Sequence, residues 1–86
     1  MLLDLPSRLA KALMRLLEAD TSSTGERKVS ITQRDLGNII GMSRESTNKQ
    51  LRIWESKKWV RLERNAVVIL ATDSLAAVAE LGAHGA

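Results

Sequence analysis

The stretch from Ile31 to Ser56, ITQRDLGNIIGMSRESTNKQLRIWES, leaves a chain few ways to fold. Thr32 offers a hydroxyl N-cap, and Asp35 beyond it completes a capping-box-like start with a shorter acid than the usual Glu. Leu36, Ile39 and Ile40 are spaced as one apolar face of a short helix. Gly37 removes a side chain where a second helix would cross closely, and Gly41 can take the positive φ that ends a helix. Ser43 can then cap a second helix, expected from about Arg44 to Ser56.

That second helix has two unlike faces. At about 100° per residue, Thr47, Leu51 and Trp54 fall in one arc, and Arg44, Glu45, Asn48, Lys49 and Arg52 in another, roughly opposite. One arc can pack on the first helix while the other carries long donors and a carboxylate. Those side chains suit base edges: Arg and Lys reach guanine, Asn adenine, and Glu the amino group of cytosine. The pattern is a helix-turn-helix signature for double-stranded DNA, about residues 32–56. Arg44, Glu45, Asn48 and Lys49 are the expected base readers, and Arg52 is expected on phosphate. A plain solvated face is the competing reading. It leaves the register of caps and glycines to coincidence.

Charge supports the first reading. The net charge of the 86 residues is only +3, yet between Arg27 and Arg64 ten Lys or Arg stand against four acids. The flanks together hold three basic and six acidic residues. Positive charge is therefore gathered on the helix-turn-helix and the hairpin-like segment after it, the footprint of a polyanion partner. A membrane-binding basic helix would gather it on one element. The length suits one small domain, residues 1–86, and 44% hydrophobic content suits a globular fold. Without cysteine there is no disulfide, thiol nucleophile or thiolate site, which fits a reducing cytoplasm. No apolar run approaches spanning length, and MLLDLP lacks the regions of a signal peptide. A single histidine, His84, rules out a histidine metal cluster, and neither GxxxxGKS/T nor GxGxxG occurs. No enzyme and no cofactor are expected.

The remaining elements are arranged around this centre. Asp4 can cap a helix from Leu5 to about Ala19, with Pro6 tolerated in the first turn and Leu9, Leu13, Leu16 and Leu17 facing a core. Asp20 to Gly25 is a polar loop, and Lys28 to Thr32 alternates as a short strand. Residues 59–71 suggest a β-hairpin that turns near Arg64 and Asn65, whose side chains would meet phosphate. Trp54 and Trp59 are expected in packing rather than as stacking platforms. Thr72 and Asp73 can cap a last helix from Ser74 to Leu81, with Leu75, Val78 and Leu81 inward and Gly82 ending it before a frayed tail.

The run I-T-Q-R-D-L-G-N-I-I-G-M-S-R-E-S-T-N-K resembles the C-terminal DNA-binding domain of the catabolite activator and fumarate-nitrate regulator (CRP/FNR) family of bacterial transcription factors. It includes the family's Ser-Arg-Glu at Ser43, Arg44 and Glu45, and Asp4, Arg8 and Ala10 match its D-x-x-x-R-x-A hinge helix. The resemblance implies base reading by Arg44, Glu45 and Lys49, and phosphate contact by the hydroxyls of Thr32, Ser43 and Ser46. Asn48 stands where the family has a small residue, and Gln50 where it has an apolar one. The resemblance also implies a dimer in a full-length form, a 20–28 loop that is a plain connection or, in an activator, a contact for RNA polymerase, and an effector-binding β-roll that this chain is too short to hold. The expectation is an α+β winged helix-turn-helix: a three-helix core, a small hairpin wing and a short C-terminal helix. A winged helix serving as a protein–protein module is the rival. Such modules lose the donors that Arg44, Asn48, Lys49 and Arg52 retain here.

Overall fold

The computed structural model describes residues 5–19 and 27–84. In chain order they form α1 (Leu5–Ala19), β1 (Lys28–Val29), α2 (Gln33–Ile40), α3 (Arg44–Ser56), β2 (Val60–Glu63), β3 (Ala66–Ile69) and α4 (Thr72–His84). Asp4 as a cap, and most of the 20–28 loop, lie outside the described residues. The three-helix core with a hairpin wing and a C-terminal helix is the arrangement expected.

α1 runs through the middle. Its Leu9, Ala10, Ala12 and Leu13 are buried, with Leu16 and Leu17 packed at the edge of the core. It packs against α2, α3, α4 and β1, and α4 adds a fully buried Leu75. α2 contributes Leu36 and Ile40, and α3 contributes Leu51 and Trp54. Ile39 departs from the expected face: it is 56% exposed. The core-facing arc of α2 centres between Leu36 and Gly37, on which Ile40 also falls. At about 100° per residue Ile39 lies on the shoulder of that arc.

The sheet is larger than a hairpin. Its order is β1-β3-β2, antiparallel throughout, with Lys28 opposite Val68 and Glu63 opposite Ala66. β3 is central and all four of its residues are buried, so it reads as an unbroken apolar run rather than an alternation. The strand expected over 28–32 is only Lys28–Val29, because Thr32 leaves the ladder to cap α2. Its pairing extends the other way, through Ile69 N donating to Arg27 O at 2.7 Å. Glu63 ties the outer strands: its carboxylate meets Lys28 Nζ at 3.1 Å and Arg61 at 2.9 Å.

The last helix also differs from its expected bounds. It begins at Thr72 rather than Ser74 and continues through Gly82 to His84. Gly is a costly helix residue, not a forbidden one, and here it does not act as a terminator.

Candidate nucleic-acid interface

The two central helices take their geometry from three local devices. Thr32 and Ser43 cap them: Asp35 N donates to Thr32 Oγ1 at 3.0 Å, and Ser46 N to Ser43 Oγ at 3.1 Å. Only the hydroxyl half of the expected capping box forms at Thr32. Gly41, at φ 73°, closes α2, with Met42 N on Gly37 O at 2.9 Å and Gly41 N on Asn38 O at 3.4 Å. These are the paired bonds of a Schellman ending. Gly37 permits the close turn, since a Cβ there would sit 2.8 Å from Met42 O and 3.1 Å from Thr47 Oγ1.

α3 is rotated as its two arcs require. Thr47 and Leu51 are fully buried and Trp54 is 2% exposed, while Arg44, Glu45, Lys49 and Arg52 face outward. The buried Thr47 hydroxyl donates to Ser43 O at 2.9 Å, so it costs the core nothing in lost hydrogen bonding. The far end of α3 is closed by a second Schellman ending, with Trp59 N on Trp54 O and Lys58 N on Glu55 O, both 2.9 Å. Its apolar contact is Trp54 against Trp59, rings 6.5 Å apart and tilted. Both tryptophans therefore pack. The left-handed position is Lys58, at φ 63°, where glycine is the usual occupant.

Two open clefts lie along this face. One, of about 540 Å³, is lined by Thr32, Gln33, Arg34 and Asp35 of the α2 start, Arg44 of α3, and Glu63, Arg64 and Asn65 of the wing tip, with Ile31 and Ala66. The other, of about 650 Å³, is lined by Gln33, Ser43, Arg44, Glu45 and Asn48. Gln33 and Arg44 belong to both. Thr32, Ser43, Arg44, Glu45, Asn48, Arg64 and Asn65 are thus brought together. Ser46, Lys49 and Arg52 line neither cleft. Lys49 and Arg52 are exposed on α3, and Ser46 is half-buried against Ser43, whose hydroxyl donates to its own at 3.0 Å.

Sequence pattern alone does not mark Gln33 and Arg34 as part of this face. Gln33 Oε1 accepts from Asn48 Nδ2 at 2.6 Å, joining α2 to α3. Asn48 Oδ1 in turn accepts a long bond from Arg52 Nε, at 3.4 Å. Both ends of the Asn48 amide are therefore engaged within the protein. No periodicity marks such a pair, because its members sit on different helices. The wing's carboxylate is settled by its neighbours: hydrogen bonds from Arg61, then from Lys28, hold Glu63 below its ordinary 4.5.

Residues 7–78 match the Crp-like helix-turn-helix domain family. The CRP-like cAMP-activated global transcriptional regulators of two Mycobacterium tuberculosis strains are each 36% identical to this chain over 76 residues. That covers 85% of this chain and 34% of each relative, so the chain spans about a third of their length. The catabolite activator protein of Thermus thermophilus has a similar structure, with a TM-score of 0.76 and 25% identity over 87% of this chain and 33% of that one. A CRP/FNR-family transcriptional regulator from the same organism reaches a TM-score of 0.82 over 90% of this chain and 41% of its own. At 24% identity that second likeness is one of fold.

Proposed function

This chain belongs to the Crp-like helix-turn-helix family of DNA-binding transcription regulators, and we propose that it reads duplex DNA sequence by laying α3 in the major groove. The observation that carries the reading is the joined pair of clefts, in which Arg44 is shared by the wing side and the helix side. A phosphate strand laid in the first cleft would meet the N-terminus of α2, Thr32, Arg34, Arg64 and Asn65. Helix N-termini and hydroxyls are suited to that contact. Arg44, Glu45 and Lys49 then face base edges, with Ser43, Ser46 and Arg52 on the flanking phosphates.

Asn48 takes a different role from direct adenine reading. Its amide gives one N–H to Gln33 and accepts a long bond from Arg52, so in this reading it orients Gln33 and stiffens the angle between α2 and α3. Because Gln33 Oε1 accepts from Asn48, its amide nitrogen remains to donate to DNA. Two copies in a dimeric full-length form would read half-sites about 34–36 Å apart. The same reading keeps the 20–28 loop as a contact for RNA polymerase, assigns no cofactor to this domain and places it in the cytoplasm. Among the described residues no helix is long and apolar enough to cross a membrane. The rival protein-docking module has no use for the outward Arg44, Lys49 and Arg52.

The test is a duplex titration at several salt concentrations. With about four to six phosphates neutralised, log K falls against log salt with a slope of about −4 to −5. An affinity indifferent to salt, or equal for all duplexes at every salt, overturns sequence reading.

A further inference from the structure

A second groove of this molecule shares no lining residue with the two clefts. Arg8, Lys11 and Arg15 recur at i, i+3 and i+7 and so line one stripe of α1. With Ala12 and Leu16 of the same helix, and Ile39 and Ile40 of α2, they line a groove of about 430 Å³. Ile39, at 56%, is the most exposed large hydrophobic among the described residues. The groove has an apolar floor, a rim of three cations and no acidic lining residue.

Among the described residues the rim has no carboxylate partner, and the only bond of Arg8 is to Met42 Sδ at 3.9 Å. Like charges at helical spacing repel each other. A molecule that brings carboxylates to this stripe relieves that repulsion, and one that also brings apolar side chains covers Ile39. A DNA backbone would bring negative charge but no apolar cover, since the four aliphatic side chains of the groove offer nothing to phosphate oxygens.

We propose that this groove docks an acidic amphipathic helix of a partner protein. Its leucine or isoleucine side chains lie against Ile39, Leu16 and Ala12, and its carboxylates face Arg8, Lys11 and Arg15. The groove shares no lining residue with the two clefts of the DNA face, so the partner and the duplex are held together on one domain. It is a recruiting surface lined by residues other than those of the reading surface.

The probe is a fluorescein-labelled designed helix with leucines along one face flanked by glutamates, titrated into the full chain by anisotropy. Saturable binding is expected, weakened about tenfold or more by Arg15→Glu and by Ile39→Ser, and about tenfold or more when the peptide's glutamates are lysines. Both variants alter solvent-facing side chains and keep the wild-type circular dichroism spectrum and duplex affinity. Four results overturn the proposal. They are no saturable binding, equal binding by the variants, a loss of duplex affinity in Arg15→Glu that marks the stripe as a phosphate contact, and self-association abolished by Ile39→Ser that marks a second copy as the occupant.

Discussion

Arg44 and Asn48 lie one helical turn apart on α3 and illustrate how much a side chain's free atoms decide. Arg44 is exposed and lines both clefts, with no side-chain hydrogen bond or ion pair among the described residues. Asn48 is half-buried and spends its amide on Gln33 and Arg52. Arg44→Ala is expected to cost about 1–3 kcal/mol of discrimination at a single base pair. Asn48→Ala is expected to weaken all duplexes alike, which selection from a randomised duplex library separates from a base-specific loss. Trp54 belongs to the opposite arc. Truncating a buried Trp costs about 3–5 kcal/mol, against a total stability of about 5 kcal/mol for a domain this small. Trp54→Ala should therefore be largely unfolded at room temperature in circular dichroism melts, whereas Arg44→Ala melts like the wild type.

At the scale of elements, the two Schellman closures differ in one residue. α2 ends on Gly41, free to adopt its φ of 73°, and α3 ends on Lys58 held at φ 63°. A left-handed conformation costs a non-glycine residue about 1–2 kcal/mol, partly offset by the greater unfolded-state entropy of glycine. Lys58→Gly is expected to stabilise the domain by up to about 1 kcal/mol. That is a rise of a few degrees in Tm, about 4–8 °C per kcal/mol at this size. The wing has a pH signature. Because Arg61 and Lys28 lower the pKa of Glu63 in the folded state, the unfolded chain binds more protons near the ordinary glutamate range. The stabilisation is present above the ordinary value of 4.5 and is lost as pH falls through the lower folded value. Thermal melts from pH 6 downward should show a smaller acid-induced fall in Tm for Glu63→Gln than for the wild type.

For the whole molecule, the asymmetry of charge sets how DNA is approached. Ten basic residues between Arg27 and Arg64, outnumbering four acids, cover the helix-turn-helix and the wing, while the flanks are net acidic. The wing tip contributes to this field and, in the proposed reading, meets phosphate rather than base edges. Arg64→Ala should weaken binding to every duplex about equally and make the salt slope shallower by about one. A loss confined to one sequence would move Arg64 from phosphate to a base edge.

Local chemistry was legible in the chain itself. The caps at Thr32 and Ser43, the closure at Gly41, the tight approach at Gly37 and the rotation of α3 each depend on residues within a turn or two of one another. So did the hairpin turn at Arg64 and Asn65, because Asn tolerates the positive φ of 60° found there. Tertiary structure decided what depends on distant partners. Ile39 has helical spacing, but the position of α1 determines which shoulder of α2 is covered. Lys58 carries no mark of a helix end, because the strain is held by Trp59 packing on Trp54. The Gln33–Asn48 bond and the third strand at Lys28–Val29 join segments far apart in the chain, and a pattern of residue types does not encode which of several distant donors or strand edges will meet. Side-chain character is a property of one residue, whereas exposure and pairing are properties of the assembled core.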